Sequence, residues 1–264
     1  MSPEIYFALT LAVKMIVTAG FIIGATITAE RAGPVIGGLV ASLPISTGPV
    51  YVFLALDHDA RFISAAALGT LVMNTANVAF ALIYALLAQK RSLSISFGLG
   101  IGAWFVIGWI GNSINWTLAS AAMLNIAAIG GSYFIVRPLR NVRVPPMHTR
   151  WQDLALRAVL AAILVGAVVT ASFHIGAKAS GIFGVFPTVF TSMMLIMHNR
   201  LGGKATAAVL ANAILGLGGF GLAAATVHAA AAPFGKWTAL LLGVSASFTW
   251  GLLIFATRKR PVPV

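Results

Sequence analysis

The chain has 264 residues, 59% hydrophobic and only 8% charged, with a mean hydropathy of +0.97. A soluble domain carries about 25% charged residues, so a water-soluble globular enzyme is excluded. The 17 Lys+Arg against 5 Asp+Glu give +12, which in so apolar a chain reads as basic cytoplasmic loops rather than nucleic-acid binding. Cys is 0, which removes disulfides, thiolate metal sites and cysteine nucleophiles.

Apolar runs of bilayer-spanning length predict an all-α polytopic membrane protein of about nine transmembrane helices, at 5–28, 34–56, 61–88, 95–111, 116–136, 152–173, 180–198, 204–232 and 237–257. The opening MSPEIYFALT carries Glu4 rather than a basic n-region, so no cleavable signal peptide is expected. The first helix holds Lys14. A charge within a span is expensive and functional by default, although an interfacial Lys can also snorkel.

The second helix reads GGLVASLPISTGPVYVFLALD, with Pro44 and Pro49 around Ser46 and Thr47. Proline lacks an N–H and clashes with the preceding turn. A broken helix at mid-membrane is expected there, facing protein or a wet cavity. The turn Asp57-His58-Asp59 follows and is expected to be a solvated loop rather than a metal site. The third helix carries Asn74 and Asn77, three apart and on one face. They suit either interhelical hydrogen bonds or ligand binding.

The seventh helix reads SGIFGVFPTVFTSMM, with Pro187, Thr188, Thr191 and Ser192, and a break is expected here too. The eighth carries Asn212 and then GLGGFG at 216–221. No strand precedes that run and no Lys-Ser/Thr follows it, so it is not a phosphate loop. His148, His174, His198 and His228 do not group by spacing. Hydrolase, kinase and zinc-protease motifs are absent. Neither an enzyme, nor a cofactor, nor a metal site is expected.

Sliding the chain by 143 residues aligns Lys14 with Arg157, Gly33 with Gly176, Gly38 with Gly181, Pro44 with Pro187 and Arg61 with Lys204. Gly100, Phe105 and Gly108 meet Gly243, Phe248 and Gly251. Helices one to four (residues 1–114) then pair with helices six to nine (151–264), and 115–150 holds a spacer helix and a basic loop. An offset of five helices inverts the second half in the membrane, a pattern typical of secondary transporters.

On one side of the alternating spans lie 13 cations, including Arg137, Arg140, Arg143, Arg150, Arg200 and Arg258; on the other lie 3, Arg61, Lys178 and Lys236. The N-terminus is thus expected outside and the C-terminus in the cytoplasm, in a bacterial inner membrane.

The stretch from Pro44-Ile-Ser-Thr-Gly-Pro through Leu54-Ala-Leu-Asp-His-Asp-Ala-Arg-Phe-Ile to Gly69-Thr-Leu resembles the bile acid:sodium symporter family and its wider superfamily. The nine-helix plan is similar to members lacking the first of ten helices. The resemblance implies that helices three and eight are the crossing helices of a core domain, and that helices one, five and six form a panel. The chain departs from the family's sodium-binding Glu and Gln-Asn pattern, since helix eight offers only Asn212.

The expected function is a secondary transporter moving a small organic, anionic solute by alternating access. Its substrate contacts are expected at Pro44, Ser46, Thr47, Asn74, Asn77, Pro187, Thr188, Thr191 and Asn212, with Lys14 as counter-charge. A lipid or prenyl-phosphate flippase is the alternative, ahead of a channel or a membrane-embedded enzyme. Expected partners are the small-molecule substrate and membrane lipids, not nucleic acid; homo-oligomer formation is left open.

Overall fold

A computed structural model describes residues 2–31, 45–140, 142, 144, 145, 147 and 149–257. Every regular element among them is helical: α1 (Pro3–Arg31), α2 (Thr47–Asp57), α3 (Ala60–Leu87), α4 (Leu93–Ser113), α5 (Leu118–Val136), a 3-10 turn at Arg137–Leu139, α6 (Trp151–Phe183), α7 (Thr188–Phe234) and α8 (Lys236–Thr257). Seven of these are long and apolar enough to cross a membrane. The chain is an integral, all-α membrane protein.

The expected nine separate helices are not what the described residues display. Residues 180–183 end α6, residues 184–187 interrupt the helix, and residues 188–198 run into 204–232 as one 47-residue element. At about 1.5 Å per residue that element is about 70 Å long, against a hydrocarbon core of about 30 Å, so it cannot be one straight span. It turns at Gly202, whose φ of 80° is open only to glycine among ordinary residues. Gly176, with φ 75°, breaks α6 in the same way. The expected gaps at 174–179 and 199–203 bracket these two turns, although the helical segments on either side run on as single elements. Of the expected helix 34–56, residues 34–44, including Pro44, lie outside the described residues.

Helix starts follow local chemistry. The Asp59 carboxylate accepts from the Phe62 N–H at 2.8 Å and caps α3. Thr117 and Ser120 form a capping box on α5. Asp153 accepts from the Arg150 N–H at 2.8 Å at the start of α6 and also takes both Arg200 guanidinium nitrogens, at 2.8 and 2.7 Å.

The buried core is centred on α3. It runs antiparallel to residues 203–234 of α7: Ser64 meets His228, Asn74 meets Leu217, and the Ala88 carbonyl faces Gly203. Small residues make this closeness possible. A side chain at Gly181 would collide with the Ala66 carbonyl, and one at Gly69 would reach the Lys178 carbonyl. The outer helices α1, α4, α5 and α8 expose large apolar side chains, such as Ile16, Trp109, Ile126 and Leu241, as lipid-facing surfaces do.

Polar contacts gather at the two ends of the bundle. At one end the Lys14 ammonium meets the Asp57 carboxylate at 2.5 Å, Lys236 donates to the His58 carbonyl at 2.8 Å, and Lys178 donates to the carbonyls of Asn112 and Ile114. At the other end lie the Asp153–Arg200 pair and the Arg140–Asn212 contact.

Candidate functional site

The expected site residues do not converge on one point. They fall into a polar centre on α3, a helix break beside it, and an apolar cavity. Asn212 stands apart from all three, and Lys14 lies beside the cavity, its ammonium 5.9 Å from the ring of the lining residue Phe53.

At the polar centre, the Asn74 amide donates to the Leu217 carbonyl at 2.8 Å and to Asn125 Oδ1 at 3.1 Å. Asn125, on α5, donates in turn to the Leu71 carbonyl at 2.9 Å. Asn74 Oδ1 is buried and has no hydrogen-bond partner among the described residues. Buried polar atoms are nearly always bonded, so this oxygen is available to a donor. Asn125 was passed over in the sequence because it sits on the spacer helix. It carries the same signal as Asn74, an amide in the middle of an apolar span.

The break lies at 184–187, between α6 and α7. Asn77 donates to the Val185 carbonyl at 3.3 Å and accepts from the Trp104 indole N–H at 2.8 Å. Asn77 thus satisfies backbone that the interruption frees, which is what lets a break persist inside a span. Pro187 is the N-cap of α7 and provides no side-chain cap bond. Thr188 and Thr191 follow on the first turn, both buried, with hydroxyls that have no hydrogen-bond partner among the described residues.

The cavity has a volume of about 310 Å³. Its described lining comes from Val17 and Phe21 of α1, residues 47–49 and 51–53 of α2, Thr70 of α3, Phe220 and its neighbours on α7, and Gly243 and its neighbours on α8. Thr47 therefore reaches the cavity wall, while Ser46 is the N-cap of α2 and makes no side-chain cap bond. Tyr51 OH donates to Thr70 Oγ1 at 2.7 Å, and Thr70 donates to the Gly181 carbonyl at 3.0 Å. These polar groups satisfy one another, and no charged residue is among the described lining. The surface offered to a ligand is apolar.

Asn212 exchanges bonds with Arg140, accepting from its Nε at 3.1 Å and donating to its carbonyl at 3.3 Å. It anchors the turn after α5 and is bonded neither to Asn74 nor to the break. Lys14 is buried and committed to Asp57, so the pair is close to neutral as a unit.

The Asp57-His58-Asp59 turn is also more ordered than the expected solvated loop. His58 Nε2 lies 2.8 Å from Ser172 Oγ, and the ring stacks on Phe62 at 3.7 Å. Burial depresses the His58 pKa below the ordinary histidine value; Asp57 and Asp59 oppose that shift, and Lys14 and Lys236 add to it. No cluster of three or more His, Asp or Glu side chains suited to a metal occurs among the described residues.

Compared with protein-family models, curated proteins and solved structures, the chain gives no match to any of the three.

Proposed function

We propose that the protein is a secondary transporter that moves a small organic anion with an apolar body by alternating access between two inverted halves, residues 1–114 and 151–264. The observation that carries this reading is the bond from Asn74 to Leu217, two residues 143 apart. That separation is the offset at which the sequence aligns with itself. Two antiparallel helices that touch at self-equivalent positions are related by a two-fold axis perpendicular to both. For membrane-crossing helices such an axis lies in the membrane plane, the relationship expected of inverted repeats.

Element boundaries support the same offset. Asp59 precedes α3 and Gly202 precedes residues 203–234; α4 begins at Leu93 and α8 at Lys236. Residues 177–183 and 188–201 then form one interrupted crossing. Residues 45–57 are the described counterpart of 188–200, and the proposal counts nine crossings in all. The three cations expected outside are consistent with this topology: Lys178 and Lys236 make their contacts at the Asp57–His58 end, with Arg61 close by in sequence. The N-terminus would lie outside and the C-terminus in the cytoplasm.

The anionic character rests on the basic chain, on the absence of carboxylates from the described cavity lining, and on the start of α2 in the cavity wall, where the helix dipole favours negative charge. The bile acid symporter-like plan is part of the proposal, with α3 and residues 203–234 as its crossing helices. The flippase reading is the alternative. Purified protein in liposomes loaded with a short alkyl sulfonate should exchange it for external labelled sulfonate. Exchange of labelled phospholipid headgroups between leaflets, without sulfonate counterflow, would favour the flippase.

A further inference from the structure

We infer that the apolar cavity beside α2 is the compartment that takes the apolar body of the solute, and that small side chains at Thr47, Ala223 and Val227 keep it open. The inference rests on the repeat reading above.

Shifting the cavity wall by 143 residues lands on a filled core. Ala223 corresponds to Phe80, Val227 to Tyr84, Leu240 to Phe97, Val244 to Ile101, Thr47 to Phe190 and Tyr51 to Met194. All six counterparts belong to a single packed hydrophobic cluster. Phe80 meets the Phe97 ring edge-on, with centroids 5.7 Å apart. Gly100 lies against Phe80, and its counterpart Gly243 lies against Ala223 and Val227. Backbone placement is thus equivalent on the two sides, while side-chain volume is not. Phe against Ala and Tyr against Val leave about 310 Å³ empty on one side. That is the lower end of the about 300–1,000 Å³ found for small-molecule pockets.

The mouth of the cavity defines the route of entry. Val17, Val52 and Val244 line the cavity and are 53%, 42% and 45% exposed. Val17 and Val244 stand on the exposed apolar faces of α1 and α8, so the opening lies on the lipid-facing flank of the bundle. With the inner polar groups satisfied by one another, the chemistry it selects is a hydrocarbon body supplied from the bilayer. Two sources share that chemistry, a free single-chain amphiphile and a phospholipid acyl chain.

The test is photolabelling of the whole protein in liposomes, with one arm using a short alkyl sulfonate bearing a diazirine in its chain and the other a phospholipid bearing it in an acyl tail. Label should concentrate on residues 47–53 and 220–244, and sulfonate-only labelling would assign the free amphiphile. Ala223→Phe and Thr47→Phe import the counterpart side chains from the filled half. Each should cut that labelling about tenfold or more, a loss of about 1.4 kcal/mol of binding, without lowering the melting temperature. If Ala223→Phe fails to fold, Thr47→Phe on a different helix decides. Label spread evenly over the lipid faces of α4 and α5, or undiminished in the folded variants, would overturn the inference. Counterflow of the sulfonate that persists in the filled variants would also overturn it and leave the transporter reading standing. Cavity-confined label with no counterflow in the wild type would instead remove the transporter reading and leave the cavity as a binding site.

Discussion

The Asn74 side chain donates to the backbone carbonyl of Leu217 at 2.8 Å, so that two residues 143 apart in sequence touch within the most buried helix pair. Asn74→Leu removes this bond and the one to Asn125. Interhelical hydrogen bonds in membranes average about 0.6 kcal/mol, so destabilisation of about 1 kcal/mol is expected. Transport per folded molecule should fall far more than stability. Paired melting and counterflow measurements read both quantities, and equal losses would reduce Asn74 to a packing residue.

Asn212→Leu provides the contrast. Its partner is Arg140, remote from the break and the cavity. Counterflow should be retained within about twofold, with a stability change near 0.6 kcal/mol. Loss of transport with intact folding would restore Asn212 to the site.

Lys14 and Asp57 form a partly buried pair, with side chains 11% and 21% exposed. Breaking a fully buried pair costs about 3–5 kcal/mol, and residual solvent access lowers this to about 1–3 kcal/mol for Lys14→Met. The double variant Lys14→Met with Asp57→Asn should recover most of that loss and retain counterflow. A stable double variant that no longer transports would make Lys14 a counter-charge for the solute.

Gly181→Ala places a methyl group against the Ala66 carbonyl, whereas the same change at Gly130 meets nothing within 4 Å. Overpacking costs about 1–3 kcal/mol. A large fall in melting temperature is expected for Gly181→Ala, with little change or a slight gain for Gly130→Ala. Similar melting temperatures for the two would contradict the close packing of α6 on α3.

His58 links stability to pH. Its pKa is lowered on folding, chiefly by burial, so the unfolded chain takes up the proton first as pH falls. The contribution of His58 to stability is present above about pH 6.5, the ordinary histidine value. It is lost as pH drops through the lower folded value. Melting temperature should decline on acidification below that point, and His58→Gln should flatten the decline. An unchanged profile in the variant would assign the effect elsewhere.

Much of the helical plan was legible because lipid-crossing length and proline leave strong marks. The interruption at Pro187 and the buried amide at Asn74 are both visible in the sequence. The pairing of amides was not. Asn74 and Asn212 look alike in isolation, and only the packing sends one to Leu217 and Asn125 and the other to Arg140. The bend at Gly202 falls in the expected gap at 199–203, because Asn199, Arg200 and Lys204 interrupt the apolar run there. The cavity left no mark in the sequence, since its lining residues, Val17, Thr47, Ala223 and Leu240 among them, come from separate helices and only packing brings them together.

The inverted relationship of the halves is tested most directly by single-cysteine accessibility, which the natural lack of cysteine makes clean. Arg91 and Phe234 stand at the proposed repeat offset of 143 residues and are both exposed. Arg91→Cys and Phe234→Cys would each be treated in intact cells with a membrane-impermeant maleimide. The account predicts that Phe234→Cys is labelled from outside and Arg91→Cys only after permeabilisation. Labelling of both from the same side would make the halves parallel and contradict alternating access by inverted repeats.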